Sequence, residues 1–69
     1  MMMSFCEYDR VRLRHDLPEH QLMAGTPGTV MIVCHEFEPP RYEVEFCDEE
    51  GWTLALLTVQ AEAIEKAEK

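Results

Sequence analysis

The sequence predicts a small all-β domain, and the chain's length and apolar patterning are the observations that predict it. The chain has 69 residues. So short a chain buries only about 60% of its unfolded surface, which leaves one domain with one thin core. Four short segments have the alternation or the β-branched composition typical of strands. Glycine, proline and acidic residues, which are typical of turns, separate these segments.

Two of the segments alternate between apolar and charged side chains, the pattern of a strand with one buried face and one solvent face. Residues 10–14 read RVRLR and place their apolar side chains between arginines. Residues 41–47 read RYEVEFC and place apolar side chains on either side of Glu43 and Glu45. Both segments are therefore predicted to be half-buried strands.

The other two segments, residues 28–34 (GTVMIVC) and 52–59 (WTLALLTV), are apolar on both faces. A short run of this kind predicts a strand that is covered on both sides or that lies in an interface. The first run follows the turn signal GTPG, and the second follows residues 48–51, DEEG, which are also a turn signal. Pro39 and Pro40 stop the first run from continuing and place a connection after it.

Strict alternation leaves open which apolar residues of these two strands point outward. The choices, in chain order, are Met31 with Val33 against Val30 with Ile32, and Leu54 with Leu56 against Ala55 with Leu57. Two interpretations of the outward residues also remain open. Either the loop of residues 17–23 and the tail cover them, or they form a contact with a protein, because large exposed apolar patches mark contact sites.

The remaining segments predict two short turns and a closing strand. Within the loop of residues 15–27, Pro18 is placed to open one helical or 3₁₀ turn. Residues 60–69 have strong helix propensity, but an isolated helix of that length is marginal in water. Because a small sheet has exposed edges that another strand can cover, we expect a 3₁₀ turn near residues 60–62 and a short strand around residues 63–67.

The domain organisation is simple. We expect residues 1–7 to form a flexible N-terminal leader and residues 8–69 to form a single small domain. The start of the chain has neither the basic nor the apolar region of a signal peptide. No apolar run approaches the roughly 18 residues that span a bilayer. We therefore expect a cytoplasmic location and no membrane partner.

The charge is strongly acidic, with 14 acidic against 6 basic residues and a net charge of -8. This excess argues against nucleic acid and anionic membranes, since both are bound through Lys and Arg. Residues 36–69 hold ten of the acids and three bases. Two interpretations of this distribution remain open. The arginines of the first strand pair with glutamates across their own sheet, or the acidic half of the chain meets a basic partner.

Residues able to carry out catalysis are scarce. None of the three cysteines belongs to a Cys-x-x-Cys pair, which predicts reduced thiols that pack as small apolar side chains. The one serine, Ser4, lies in the leader. Cys34 and His35 would point to opposite faces if both lay in a strand, so the thiol and the imidazole would not meet. We therefore expect no enzymatic activity and no cofactor. The acidic turn at residues 48–51 lacks the EF-hand spacing but leaves weak calcium binding as an alternative.

Several blocks of the sequence together resemble one family. The blocks are Val11-Arg12-Leu13, Asp16-Leu17-Pro18-Glu19-His20, Leu22-x-Ala24-Gly25-x-x-Gly28-Thr29-Val30, Tyr42-Glu43-Val44-Glu45-Phe46 and Gly51-x-Thr53-Leu54-Ala55-Leu56-Leu57-Thr58. This pattern, over about residues 8–66, is similar to that of a family of short bacterial proteins known as domain of unknown function 4926. The family carries no assigned catalytic residues, so none can be transferred to this chain.

Two more distant resemblances concern the fold. The block from Gly25 to Val30 is similar to a KOW-type turn and strand, and the Leu-Pro-Glu-His block before it resembles a small photosystem subunit of the same barrel type. Both resemblances imply a five-stranded Src-homology-3-like barrel, a fold that implies no activity by itself. Where most such sequences carry a polar residue inside the second strand, this one carries Ile32.

These observations together predict a small acidic protein-binding module that acts through protein–protein contact. We expect the partner to be a second protein or another copy of the chain. For a second protein, the module would be its accessory or antitoxin-like partner. The candidate contact residues are Met31, Ile32, Glu43, Glu45 and Trp52. One alternative is an RNA- or nucleic-acid-associated KOW-type module, whose groove would be formed by Arg10, Arg12, Arg14 and Arg41. The other alternative is the calcium-binding acidic barrel.

Overall fold

The protein folds into one antiparallel sheet of five strands with two short 3₁₀ turns, and the computed structural model describes residues 4–67. The elements in chain order are β1 (Arg10–Leu13), the first 3₁₀ turn (Pro18–His20), β2 (Pro27–Cys34), β3 (Arg41–Cys47), β4 (Thr53–Gln60), the second 3₁₀ turn (Ala61–Ala63) and β5 (Ile64–Lys66). The strands lie in the order β4-β3-β2-β1-β5. The predicted fold class is confirmed, including the 3₁₀ turn before the last strand.

The alternation of β3 places its apolar side chains in the core. Tyr42, Val44 and Phe46 are fully buried, whereas the glutamates between them are only half-buried. β1 follows the same rule, with Val11 and Leu13 buried. The buried apolar side chains of residues 4–67 form a single cluster, as expected for a domain with one thin core.

β2 departs from strict alternation at Met31. Val30 pairs with Val44, but the next paired residue of β2 is Ile32, which lies opposite Glu43. Met31 is therefore an extra residue, a β-bulge, and it shifts the side-chain pattern by one position. As a result Val30 is buried, Ile32 is 49% exposed and Val33 packs against the core. Strict alternation would turn outward either Met31 with Val33 or Val30 with Ile32. Both alternatives are wrong, because the bulge reverses the alternation between the two halves of the strand.

In β4 the structure shows which apolar side chains point outward. Leu54 and Leu56 are exposed, at 51% and 55%, whereas Ala55 and Leu57 pack against the core from the other face. Of the two alternatives for this strand, the one in which Leu54 and Leu56 point outward is confirmed. Because β4 lies at the edge of the sheet, its core-facing side chains are only half-buried.

The N-terminal segment contributes to the core at Phe5. The Phe5 ring is 6% exposed and packs edge-on against the Tyr42 ring, with the ring centres 5.4 Å apart. Its backbone N–H donates to the Tyr42 hydroxyl at 3.4 Å. Residues 1–3 of the predicted leader lie outside the described residues. Burial of this ring, a large apolar gain, places one residue of the predicted leader in the core.

The loop between β1 and β2 caps one end of the core. Pro18 begins the first 3₁₀ turn, as its fixed backbone angle favours. Leu22 is buried and Leu17 packs beside the core, while Met23 remains 69% exposed. Within residues 4–67, no helix is long and apolar enough to cross a membrane.

Candidate protein-binding surface

A shallow groove lies on the outer face of β2, β3 and β4. Its volume is about 420 Å³, and its lining residues are Met31, Ile32, Glu43, Glu45, Thr53 and Leu56. We call this feature the outer groove. Four of the five residues predicted to make the protein contact therefore lie together around one hollow.

The register of the strands explains why apolar and acidic side chains meet here. Ile32 of β2 lies opposite Glu43 of β3, and Glu45 lies opposite Leu56 of β4. Directly opposed residues in a sheet have Cβ atoms about 5 Å apart on the same face. The bulge at Met31 adds a second apolar side chain beside Ile32. The outer groove thus has apolar side chains on its two flanking strands and carboxylates on the strand between them.

The apolar part of the outer groove is open to solvent. Ile32 and Leu56 are about half exposed, at 49% and 55%. The loop that was a candidate to cover such residues is used at the end of the core, where Leu22 is buried. Of the two interpretations offered for the outward residues, cover by the loop and the tail does not hold for these side chains within residues 4–67. The apolar surface is left available for contact.

One carboxylate of the outer groove is held by a neighbour. The Thr53 hydroxyl donates a hydrogen bond to Oε2 of Glu45 across the β3–β4 pair. This bond restricts the rotamers of the glutamate, so less side-chain freedom is lost when Glu45 meets a cation. The bond engages Oε2 only, so Oε1 of Glu45 is the oxygen that this bond leaves for a cation.

Trp52, the fifth predicted contact residue, is not among the residues that line the outer groove. It is 71% exposed and lies at the end of the turn between β3 and β4. Its backbone N–H donates to Oδ1 of Asp48, and its carbonyl accepts the Asp48 N–H, both at 2.9 Å. The turn therefore fixes the Trp52 backbone next to Thr53.

Two lining residues, Thr53 and Leu56, were absent from the set predicted from sequence. The outward position of Leu56 was one of two choices that alternation left open, and only the pairing with β3 decides between them. Thr53 carries no signal in the sequence, because its role depends on its hydrogen bond to Glu45 of the neighbouring strand.

The acidic turn has a structural role at Asp48. Oδ1 of Asp48 accepts hydrogen bonds from the N–H groups of Glu50 and Trp52, both at 2.9 Å. Such side-chain to backbone bonds stabilise tight turns. Among the described residues, no group of three or more His, Cys, Asp or Glu side chains is arranged to hold a metal ion.

Arg12 of β1 and Arg14, which follows this strand, pair with a glutamate of β5. Nε of Arg12 donates to Oε2 of Glu65 at 2.8 Å, and Nε of Arg14 lies 3.9 Å from Oε1 of the same glutamate. The hydrogen bond from Arg12 holds the pKa of Glu65 below its ordinary value of 4.5. The charges of Arg12 and Arg14 also lower this pKa, and partial desolvation opposes them. Of the two interpretations of the charge pattern, cross-strand pairing is therefore present at these two arginines.

A third arginine is also engaged within the protein. The guanidinium carbon of Arg41 lies 4.3 Å from the centre of the Phe37 ring, a cation–π contact. Together with the ion pairs of Arg12 and Arg14, this contact occupies three of the four arginines named for a nucleic-acid groove.

Comparison with known proteins gives a family and no described activity. The family model described as a domain of unknown function, DUF4926, matches residues 7–66. No curated protein and no solved structure matches the chain significantly.

Proposed function

We propose that this chain, which belongs to the family described as domain of unknown function DUF4926, is a small acidic module that binds another protein through the outer groove. The observation that carries the proposal is the groove itself, in which half-exposed Ile32 and Leu56 flank the carboxylates of Glu43 and Glu45. Apolar surface left open in a folded domain and bordered by charge is typical of a contact site.

The chemistry of the outer groove favours a basic segment as its ligand. The long side chains of Lys and Arg lay their methylene stems along apolar surface and keep the charged group at the polar edge. In the outer groove, the stem would contact Ile32 and Leu56 while the cation meets Glu43 or Glu45. Since Thr53 already holds Glu45, that carboxylate is the better prepared of the two.

Electrostatics support the same kind of partner. The chain has a net charge of -8, and complementary charge accelerates encounter and disfavours wrong partners. The acidic residues concentrate in the second half of the chain, which includes β3 of the outer groove. A basic protein is therefore steered towards the groove, and the association rate falls as salt is added.

The role that fits this size and charge is that of a cytoplasmic accessory or antitoxin-like subunit, whose activity lies in the protein that it contacts. A domain of 69 residues presents a surface of 5068 Å² over its described part. A specific interface takes about 800 Å² from each partner, so one such contact covers a substantial fraction of the module.

Capture from the native cell with matched variants tests the proposal. Tagged wild-type protein is compared with Ile32→Lys, which puts a cation into the outer groove. Met23→Lys is the control, since Met23 is exposed in the β1–β2 loop and is not a groove residue. We expect one stoichiometric protein with wild type and with Met23→Lys, and its loss with Ile32→Lys. A protein captured equally by all three would place the contact elsewhere.

A further inference from the structure

The two edges of the sheet differ in how they are protected. Natural proteins shorten their edge strands or place charges on them, because an exposed edge pairs readily with another strand. β5 is only three residues long, and both of its charged residues form ion pairs, Glu65 with Arg12 and Lys66 with Asp9. The edge at β5 is thus short and charged.

β4 lacks both protections. It is eight residues long and reads TLALLTVQ, without a charged residue or a proline. Its bulge, at Leu54, affects only the start of the strand, and from Ala55 onward the register with β3 is regular. Among residues 4–67, β4 pairs with β3 alone and its other edge has no strand beside it. This edge can accept a further strand.

We infer that the free edge of β4 pairs with β4 of a second copy of this chain, antiparallel across a two-fold axis. A strand without charge can approach its own copy, whereas the acidic β3 strands stay apart. Strands in a sheet are about 4.8 Å apart, so two β3 strands separated by two β4 strands lie roughly 14 Å from each other. This separation exceeds the Debye length of about 8 Å at physiological ionic strength, so their repulsion is largely screened.

The symmetry specifies which side chains meet. A two-fold axis perpendicular to the sheet pairs one residue of β4 with its own copy and keeps both outer faces on the same side. Leu56 is the outward apolar residue nearest the middle of the strand. With Leu56 at the axis, the two Leu56 side chains face each other and Leu54 faces Thr58 of the second copy. The pair of chains then forms one continuous sheet with two outer grooves side by side.

The inference goes beyond the proposed function, since it depends on the edge of β4 and not on what the outer groove binds. Sedimentation equilibrium of the full chain up to about 100 µM is the test, because a dimer is populated only above its dissociation constant. We expect the wild type to sediment as a dimer of twice 8.1 kDa. Leu56→Lys and Leu56→Glu should each be monomeric, because like charges would then lie directly opposite each other. An equimolar mixture of the two variants should recover the dimer.

Two controls separate the possible outcomes. Leu56 is half exposed, so both variants should fold, and circular dichroism with urea unfolding checks that they do. Ile32→Lys, on β2 two strands away from the edge, should keep the dimer, whereas we expect it to lose capture of a partner protein. A monomeric wild type, a dimer that survives both Leu56 variants, a mixture that stays monomeric, or a dimer lost with Ile32→Lys would each overturn the inference. Only the capture experiment bears on the proposed function.

Discussion

Gly28→Ala is expected to destabilise the fold by adding one methyl group where β2 approaches β3. Gly28 is buried in β2 opposite Phe46. A Cβ atom built at this position would lie 2.8 Å from Cγ1 of Val44, 2.9 Å from Cδ1 of Phe46 and 3.0 Å from the carbonyl oxygen of Glu45. Carbon atoms in contact prefer about 3.5–4.0 Å, so all three neighbours would have to move.

The magnitude follows from how little those neighbours can yield. Val44 and Phe46 are fully buried, and the third contact is backbone. Overpacking of this kind costs about 1–3 kcal/mol. The smaller conformational freedom of alanine in the unfolded chain offsets about 0.4–1 kcal/mol. The net loss is therefore about 1.5 kcal/mol, which lowers Tm by roughly 6–12 °C in a domain of this size.

Thermal unfolding followed by circular dichroism measures this shift, and urea unfolding gives the free energy. A double-mutant cycle with Val44→Ala tests the mechanism, because that substitution removes the atom closest to the new methyl group. Gly28→Ala should then cost about 1 kcal/mol less in the Val44→Ala background than in the wild type. A wild-type Tm for Gly28→Ala, or the same cost in both backgrounds, would refute the reasoning from close contact.

Two further predictions concern the N-terminal segment and the β1–β5 edge. Phe5→Ala removes a buried ring and should lower the free energy of unfolding in urea by about 3 kcal/mol, whereas Tyr8→Ala, at a residue 69% exposed, should change it little. Glu65→Gln should destabilise the protein more at neutral pH than at an acidic pH below 4.5. The pKa of Glu65 is lowered in the folded state, so its contribution is complete above pH 4.5 and is lost as the pH falls through the lowered value. Urea unfolding at the two pH values measures this difference, and an equal loss at both would show that the ion pair with Arg12 is not its cause.

Much of the fold is readable from the sequence, because local chemistry and tertiary packing agree. The alternation in residues 41–47 predicts both the strand and its buried face, and Pro18 predicts the start of one helical or 3₁₀ turn, which the structure shows to be 3₁₀. The closing strand at Ile64–Lys66 is predicted against the helix propensity of the tail. Tertiary pairing with β1 decides that segment, as it often does for short elements.

The features that the sequence does not predict depend on long-range contacts. The bulge at Met31 has no local signature, since it exists only relative to the register of β3. The burial of Phe5, a residue of the predicted leader, is not visible in the sequence because its partner, Tyr42, lies 37 residues away in the chain. Four residues of the outer groove are among the candidate contact residues, because β2 is apolar on both faces and the alternation in β3 places its glutamates outward. The contribution of β4 to the outer groove could not be predicted, because the sequence leaves open which face of the sheet Leu56 occupies.

The affinity of the purified partner for three forms of the protein tests the central claim most directly. Isothermal titration calorimetry would compare wild type, Ile32→Lys and Met23→Lys at low and at physiological salt. Ile32→Lys removes an apolar contact and places a cation beside Glu43. Our account predicts that it weakens binding by about tenfold or more, equivalent to roughly 1.4 kcal/mol, while Met23→Lys binds like the wild type and added salt weakens all the binding that remains. Equal affinity for wild type and Ile32→Lys would contradict the assignment of the outer groove as the binding surface.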